Sequence, residues 1–233
     1  VANATVSASV VKEGHGAIVL DFIKECELSH EIERHVPSNK TIIFDLSDIS
    51  QGFSFAYSEI KITKNMTRWD KIKNASDLTD QTVYLINALN DGNIQPLTPK
   101  MTKILKSACM VVYTIGMARV YDVINVLQSH VARHKAINEA IKQGIYKMDD
   151  FKILDLLSLD EMDNKKGKII GTNENKIESI MDRIDVLLGN PYLEMMLMNE
   201  PSEKVNFVDY MDQGKIVLIR IPESTFKKKW IKD

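Results

Sequence analysis

The chain has 233 residues, enough for one large domain or two small ones around a buried core. Hydrophobic residues at 44% and charged residues at 27% exclude long-range disorder, and 30 basic against 32 acidic residues exclude a chain-wide electrostatic clamp for DNA, though not a local phosphate-binding patch. Cys26 and Cys109 stand far apart without ligand spacing, which excludes a disulfide scaffold or zinc site and fits a reducing compartment.

Residues 3–13 read as a short helix stopped at Gly14 and Gly16. An apolar, β-branched run follows at Ala17–Phe22, then a helix in which Leu28 and Ile32 share a face and which Pro37 ends, then a second strand at Thr41–Leu46 and a loop near Ser47–Gly52. Strand, helix and strand with short connections is the grammar of a parallel sheet, and near-continuous apolar strands are those of a sheet covered on both faces.

From about residue 67 the period becomes helical. Asp77–Asn90 carries Leu78, Val83, Leu85, Ile86 and Leu89 and stops at Asp91-Gly92. Thr98 then caps a helix that opens with Pro99, where no amide donor is needed, and Gly116 ends it. Further helices are expected at Val120–Ala132, with Val131 on the apolar stripe, at Ala136–Lys142 and at Phe151–Leu157. Another, capped by Thr172, carries Ile177, Ile180, Ile184 and Leu187 and closes at Gly189. Sheet character returns with a strand at Val205–Met211, a turn at Asp212–Gly214, a strand at Lys215–Ile221 and a helix from Ser224. That last helix is barely two turns long at Asp233, so the fold is expected to continue. The expected architecture is α/β: a partial parallel sheet (strands near 17–22, 41–46 and 215–221) with a large all-α insertion. The segments are 1–66 in the sheet domain, 67–204 all-α, and 205–233 back in the sheet.

Several side chains invite a chemical reading. Asp21 ends a strand at the carboxyl edge of the expected sheet, where α/β folds bind ligands, so Asp21 and Lys24 could stand beside nucleotide or magnesium; equally, Asp21 could cap the helix from Glu25. Lys227, Lys228, Lys229 and Trp230 combine a basic run with an aromatic, the pattern of a contact tracking a nucleic-acid backbone. The alternative is an amphipathic helix whose Phe226, Trp230 and Ile231 pack inward. Lys165-Lys166-Gly167-Lys168 reads as an exposed loop, and Tyr192, Met195, Met196 and Met198 as core filling or a partner groove. His130 and His134 lie four apart, but with Arg133 and Lys135 beside them they read as a solvated basic face, and His30 and His35 as surface residues. No catalytic or metal-ligating set is expected.

The order of elements resembles the stretch between the two nucleotide-binding motifs of the HerA/FtsK-type P-loop ATPases, most of all the coupling proteins of conjugative type IV secretion. Asp21-Phe22-Ile23-Lys24 with Glu27 resembles that family's DP(K/H)GE-like element, without its proline and glycine. Phe44-Asp45-Leu46-Ser47-Asp48 with Gly52-Phe53-Ser54 is similar to its acidic turn, and residues 210–222, YMDQGKIVLIRIP, to the loop and strand that return the chain to the sheet. The resemblance covers nearly the whole chain. It implies a RecA-like, hexameric motor that spends ATP with Mg2+ to move DNA or a nucleoprotein, with secretion or relaxosome proteins as partners and Asp21, Lys24 and Glu27 near the nucleotide. No GxxxxGK(S/T) and no acidic pair after an apolar strand occur in these residues, so this segment alone is expected not to hydrolyse ATP and to need no cofactor. The expected location is the cytoplasm, because no apolar run approaches about 18 residues and no signal-peptide layout is present. Any membrane anchor of the parent, at the inner face of the cell membrane, would lie outside this chain.

Overall fold

The computed structural model describes residues 12–48, 62–88, 96–117, 119–163, 165–189, 191–198 and 206–224. In chain order the elements are β1 (Ala17–Asp21), α1 (Glu27–His35), β2 (Thr41–Asp45), α2 (Arg68–Ala88), α3 (Pro99–Thr114), α4 (Val120–Gln128), α5 (His130–Lys142), α6 (Phe151–Leu157), β3 (Asp160–Asp163), β4 (Lys168–Thr172), α7 (Glu174–Leu188), α8 (Pro191–Met198), α9 (Phe207–Asp212) and β5 (Ile216–Arg220). The protein is mixed α/β. It divides into two compact units, Val1–Phe53 with Ser202–Asp233, and Ser54–Pro201. No helix among the described residues is long and apolar enough to cross a membrane.

In the first unit, β5 lies between β1 and β2 and pairs in parallel with both. All five of its residues are buried, as an apolar strand between two neighbours requires. Ile216 and Leu218 pack against Ile32 of α1 and Val36 just after it, with Ala17, Val19, Leu28 and Ile43 around them. β1 departs from the expectation of cover on both faces: Val19 is partly buried, while Leu20 on the opposite side is 60% exposed.

The stretch expected as a strand at Val205–Met211 is instead helical over Phe207–Asp212. The Asn206 side chain accepts the Asp209 amide at 3.2 Å, which supplies the missing partner of a first helical turn, and Phe207 meets Phe44 edge to face at 5.8 Å. Gly214 then turns the chain into β5 at φ 64, where a Cβ would run into the Gly14 carbonyl, so both backbone and space require glycine. The helices expected at 3–13 and from Ser224, and the stop at Asp91-Gly92, lie outside the described residues or almost wholly so.

The second unit is built around α3, which buries Leu105, Ala108, Cys109, Val111, Val112 and Tyr113 completely. Its start is the one the sequence signals: Thr98 accepts the Met101 amide at 3.4 Å and Pro99 follows it. Gly116, at φ 90, follows its end. Three other expectations fail. α2 begins at Arg68, nine residues before Asp77, with Asp70 in its first turn bonded to Thr67. The segment is not all-α, because β3 and β4 form an antiparallel hairpin that takes in Thr172. Thr172 therefore ends a strand and does not cap α7.

The third failure is the helix expected over Val120–Ala132. It breaks at Ser129, whose side chain accepts the Ala132 amide at 3.3 Å and starts α5. The break rotates the stripe, leaving Val131 66% exposed and carrying Arg133 inside. Far from a solvated base, Arg133 is fully buried and places all five N–H donors: on the Val126 and Leu127 carbonyls at 3.0 Å, on Thr172 Oγ1 at 2.9 Å, and twice on Asp160 Oδ1 at 3.0 and 2.8 Å. The two carbonyls are among those a helix end leaves unpaired, so one guanidinium satisfies the end of α4 and ties it to both strands of the hairpin.

Removing Arg133 leaves Asp160 Oδ1 and two carbonyls without this partner. Arg133→Ala is expected to lower unfolding free energy by about 3–5 kcal/mol in urea titration, and Arg133→Lys to recover little, since an ammonium cannot span the four acceptor groups. A pH effect follows from Cys109 and Tyr146, both pushed up to about 12, chiefly by burial. An unfolded thiol loses its proton near pH 9 and an unfolded phenol near 10, while the folded groups keep theirs. Their contribution is thus full below about pH 9 and lost as pH rises towards 12, measurable as a falling urea midpoint.

Candidate functional site

The carboxyl edge of the sheet carries three charged residues in register: Asp21 of β1 and Asp45 of β2 both align with Arg220 of β5. The chain brings them level because each ends an apolar strand of five residues. Arg220 is almost wholly buried, and its Nε donates to Ser29 Oγ at 2.7 Å and its Nη2 to Glu33 Oε2 at 2.5 Å. Sequence reasoning missed this guanidinium. The available signal was an arginine closing an otherwise apolar strand, IVLIR, because a buried cation demands acceptors.

Asp21 is 2% exposed. Its Oδ2 accepts the Ser29 amide at 2.8 Å and its Oδ1 the Ile23 amide at 3.3 Å, so the carboxylate spans the β1–α1 loop and holds the first turn of α1. A negative group there also meets the positive end of the helix dipole. The helix starts at Glu27, two residues later than the expected Glu25, with Cys26 in the capping position at φ 61. Lys24 also has positive φ, at 50, and its carbonyl accepts the Glu223 amide at 2.8 Å. The Cys26 thiol donates to the Asp21 carbonyl at 3.2 Å, and burial pushes its pKa up.

Lys24 and Glu27 face solvent as a pair 3.7 Å apart, 67% and 72% exposed, while Asp21 lies beneath the loop. Such an exposed pair adds little to stability. Asp45 Oδ1 accepts the Ser47 amide at 3.0 Å and the Ser47 hydroxyl at 2.5 Å. Lys227, Lys228, Lys229 and Trp230 lie outside the described residues.

Comparison with family models, curated proteins and solved structures gives no match. The edge must therefore be read from its own chemistry. Among the described residues no group of three or more His, Cys, Asp or Glu is arranged to hold a metal ion. With both Asp21 oxygens on backbone amides and no glycine-rich phosphate loop, the described edge does not by itself fit a magnesium nucleotide.

In the second unit, His134 Nε2 meets Asp160 Oδ2 at 2.7 Å. A carboxylate can only accept, so Nε2 carries the proton. Asp160 thus serves Arg133 with one oxygen and His134 with the other. His134 is engaged, where the sequence pointed to a solvated face. In α8, Leu193 and Leu197 pack on the core while Tyr192 and Met195 are half-buried.

Asp21→Asn keeps an oxygen for the Ser29 amide, whereas Asp21→Ala removes it. The alanine variant is expected to lose about 1–3 kcal/mol by chemical denaturation and the asparagine variant clearly less. In the same protein both thiols are buried, so an aromatic disulfide reagent at pH 8 should label neither Cys26 nor Cys109 until denaturant is added.

Proposed function

We propose that the chain is the segment between the two nucleotide-binding motifs of a DNA-translocating P-loop ATPase of the HerA/FtsK type, closest in kind to a conjugative coupling ATPase. The observation that carries the reading is the strand order β1-β5-β2, all parallel. A strand that returns after roughly 170 residues of mostly helical chain slots between the first two, and a return to the sheet at this point is what the YMDQGKIVLIRIP resemblance implies. In this reading the carboxyl edge with Asp21, Lys24 and Glu27 lies toward the nucleotide, and the phosphate-wrapping loop and Mg2+ ligands come from residues outside these 233. The parent would be a hexamer at the cytoplasmic face of a membrane. Ser54–Pro201 would meet the DNA or nucleoprotein cargo, or the secretion and relaxosome proteins that deliver it, and the basic run at Lys227–Trp230 would contact nucleic acid.

A second reading, a helical interaction adaptor without nucleotide chemistry, draws support from the hydrophobic core that the Ser54–Pro201 unit has of its own. Two measurements separate them. The 233-residue chain should bind no ATP at micromolar concentrations in calorimetry and should hydrolyse none. The reading frame around it should carry a GxxxxGK(S/T) within about 20 residues upstream, and that longer protein should show ATPase activity stimulated by DNA. An upstream frame without the motif, or tight ATP binding by the segment alone, sinks the motor reading.

A further inference from the structure

The three-stranded sheet is covered unevenly. On the face of Ile216 and Leu218, α1 reaches side chains of all three strands. On the other face the middle and the β2 side are closed, with Val217 and Phe44 buried and Phe207 against Phe44. The β1 side is open: Ile18, Leu20, Phe22 and Ile23 are 42–65% exposed. Ile18 and Leu20 stand on this side because they alternate with the partly buried Val19, and Phe22 and Ile23 carry the apolar run into the loop. Four large apolar side chains along one edge form a surface that gains from cover.

The chain that leaves β5 is led to this edge. The Ile221 amide donates to the Asp21 carbonyl and the Glu223 amide to the Lys24 carbonyl, both at 2.8 Å, and Ser224 Oγ donates to Glu25 Oε2 at 2.8 Å. All three acceptors lie at or just past the end of β1, so Ser224 stands beside the loop that holds Phe22 and Ile23. Glu223 and Ser224 already have helical backbone. Parallel crossovers are right-handed, so a chain leaving β5 toward β1 lies on the face opposite to one that passes from β1 toward β2. The second is α1, and the face opposite to it is the open one. Residues 225–233, TFKKKWIKD, extend about 14 Å as a helix, against about 16 Å for β1. Phe226 and Trp230, four apart, share one side of such a helix, and Lys228 and Lys232 take the opposite side.

We propose that residues 225–233 dock as a helix on the open side of β1, with Phe226 and Trp230 lying on Ile18, Leu20 and Phe22 and with Lys228 and Lys232 facing water. A segment tethered beside its own binding surface has an effective concentration on the order of millimolar, which favours it over a second copy or a separate partner. Trp230 then anchors the helix, and only the lysines remain for nucleic acid. Face and segment both belong to the sheet unit, and the inference does not rest on the motor reading.

The test uses the whole 233-residue chain with Trp69→Phe, which leaves Trp230 as the sole tryptophan. Trp69 is exposed, so its replacement leaves the fold intact. Native Trp230 emission should be blue-shifted from that of the urea-unfolded chain, with acrylamide quenching several-fold weaker. Leu20→Asp, Ile18→Asp and Phe226→Asp should each move emission and quenching toward the unfolded values. Ile170→Asp, at an equally exposed position of the hairpin, should change neither. Unchanged far-UV circular dichroism separates an undocked segment from an unfolded chain. Water-like emission from native Trp230 overturns the proposal, as does burial of Trp230 that ignores Leu20→Asp and Ile18→Asp. A blue shift lost on dilution would give the face to a second copy. Quenching of native Trp230 by a single-stranded oligonucleotide would place its ring on a base, and either result overturns the proposal too.

Discussion

The sheet exists only because Ile216–Arg220 enters between two strands that do not pair with each other in the strand order. Burying four aliphatic side chains contributes about 1.5–3 kcal/mol each, against an ordering cost of about 1–2 kcal/mol per residue for the backbone, so the central strand is favourable with a modest margin. Its fifth residue is the difficult one. A guanidinium at that depth is tolerable only with acceptors, and Ser29 and Glu33 on α1 provide them. Asp21 fastens the same helix by its first turn. Cover, strand and loop are thus tied at one edge by a few polar groups, and α1 is held in place by them as well as by its apolar face.

The same solution appears in Ser54–Pro201 with other residues. There the buried cation is Arg133, and its acceptors are the loose carbonyls of a helix end and the side chains of a hairpin. In Ser54–Pro201 a helix break leaves carbonyls that Arg133 satisfies, whereas at the end of β5 Arg220 is itself the group in need of acceptors; in both cases the bonds join separate elements. An arginine suits the task because its donors are fixed in a plane and spread over several directions. Such side chains fix the relation of one element to the next more tightly than the non-directional apolar core around them.

The strands were legible because their signal is local. β1, β2 and β5 lie within one residue of their expected bounds, and Thr98-Pro99 and Gly116 marked the limits of α3 by cap and turn chemistry alone. The failures are places where a distant partner decides. DEMD at Asp160–Asp163 has no strand propensity of its own and is held by pairing with Lys168–Thr172 and by Arg133. Val205–Met211 has enough apolar residues for a strand, yet Asn206 offers a cap and Phe44 a ring to pack on, and neither reveals its use in the sequence. Arg133 was least legible, because two of its acceptors become free only when the helix stops at Gln128. At the candidate edge, Asp21 was found by its position after a strand, but the partner that fills the space beside it, Arg220, lies about 200 residues away.

The wide separation of β5 from the strands it joins has a consequence for the chain as it is made. At about 5–20 residues per second, β1 and β2 leave the ribosome roughly ten to thirty seconds before the strand that separates them. During that interval two apolar strands have open edges, the condition under which a nascent chain pairs with the wrong neighbour. Charges bracket both runs, with Asp21 and Lys24 after the first and Lys40 and Asp45 around the second, and such gatekeepers discourage stray stacking. The intervening Ser54–Pro201 unit, dominated by helices whose contacts are near in sequence, can condense in the meantime and shorten the span that the late strand must close.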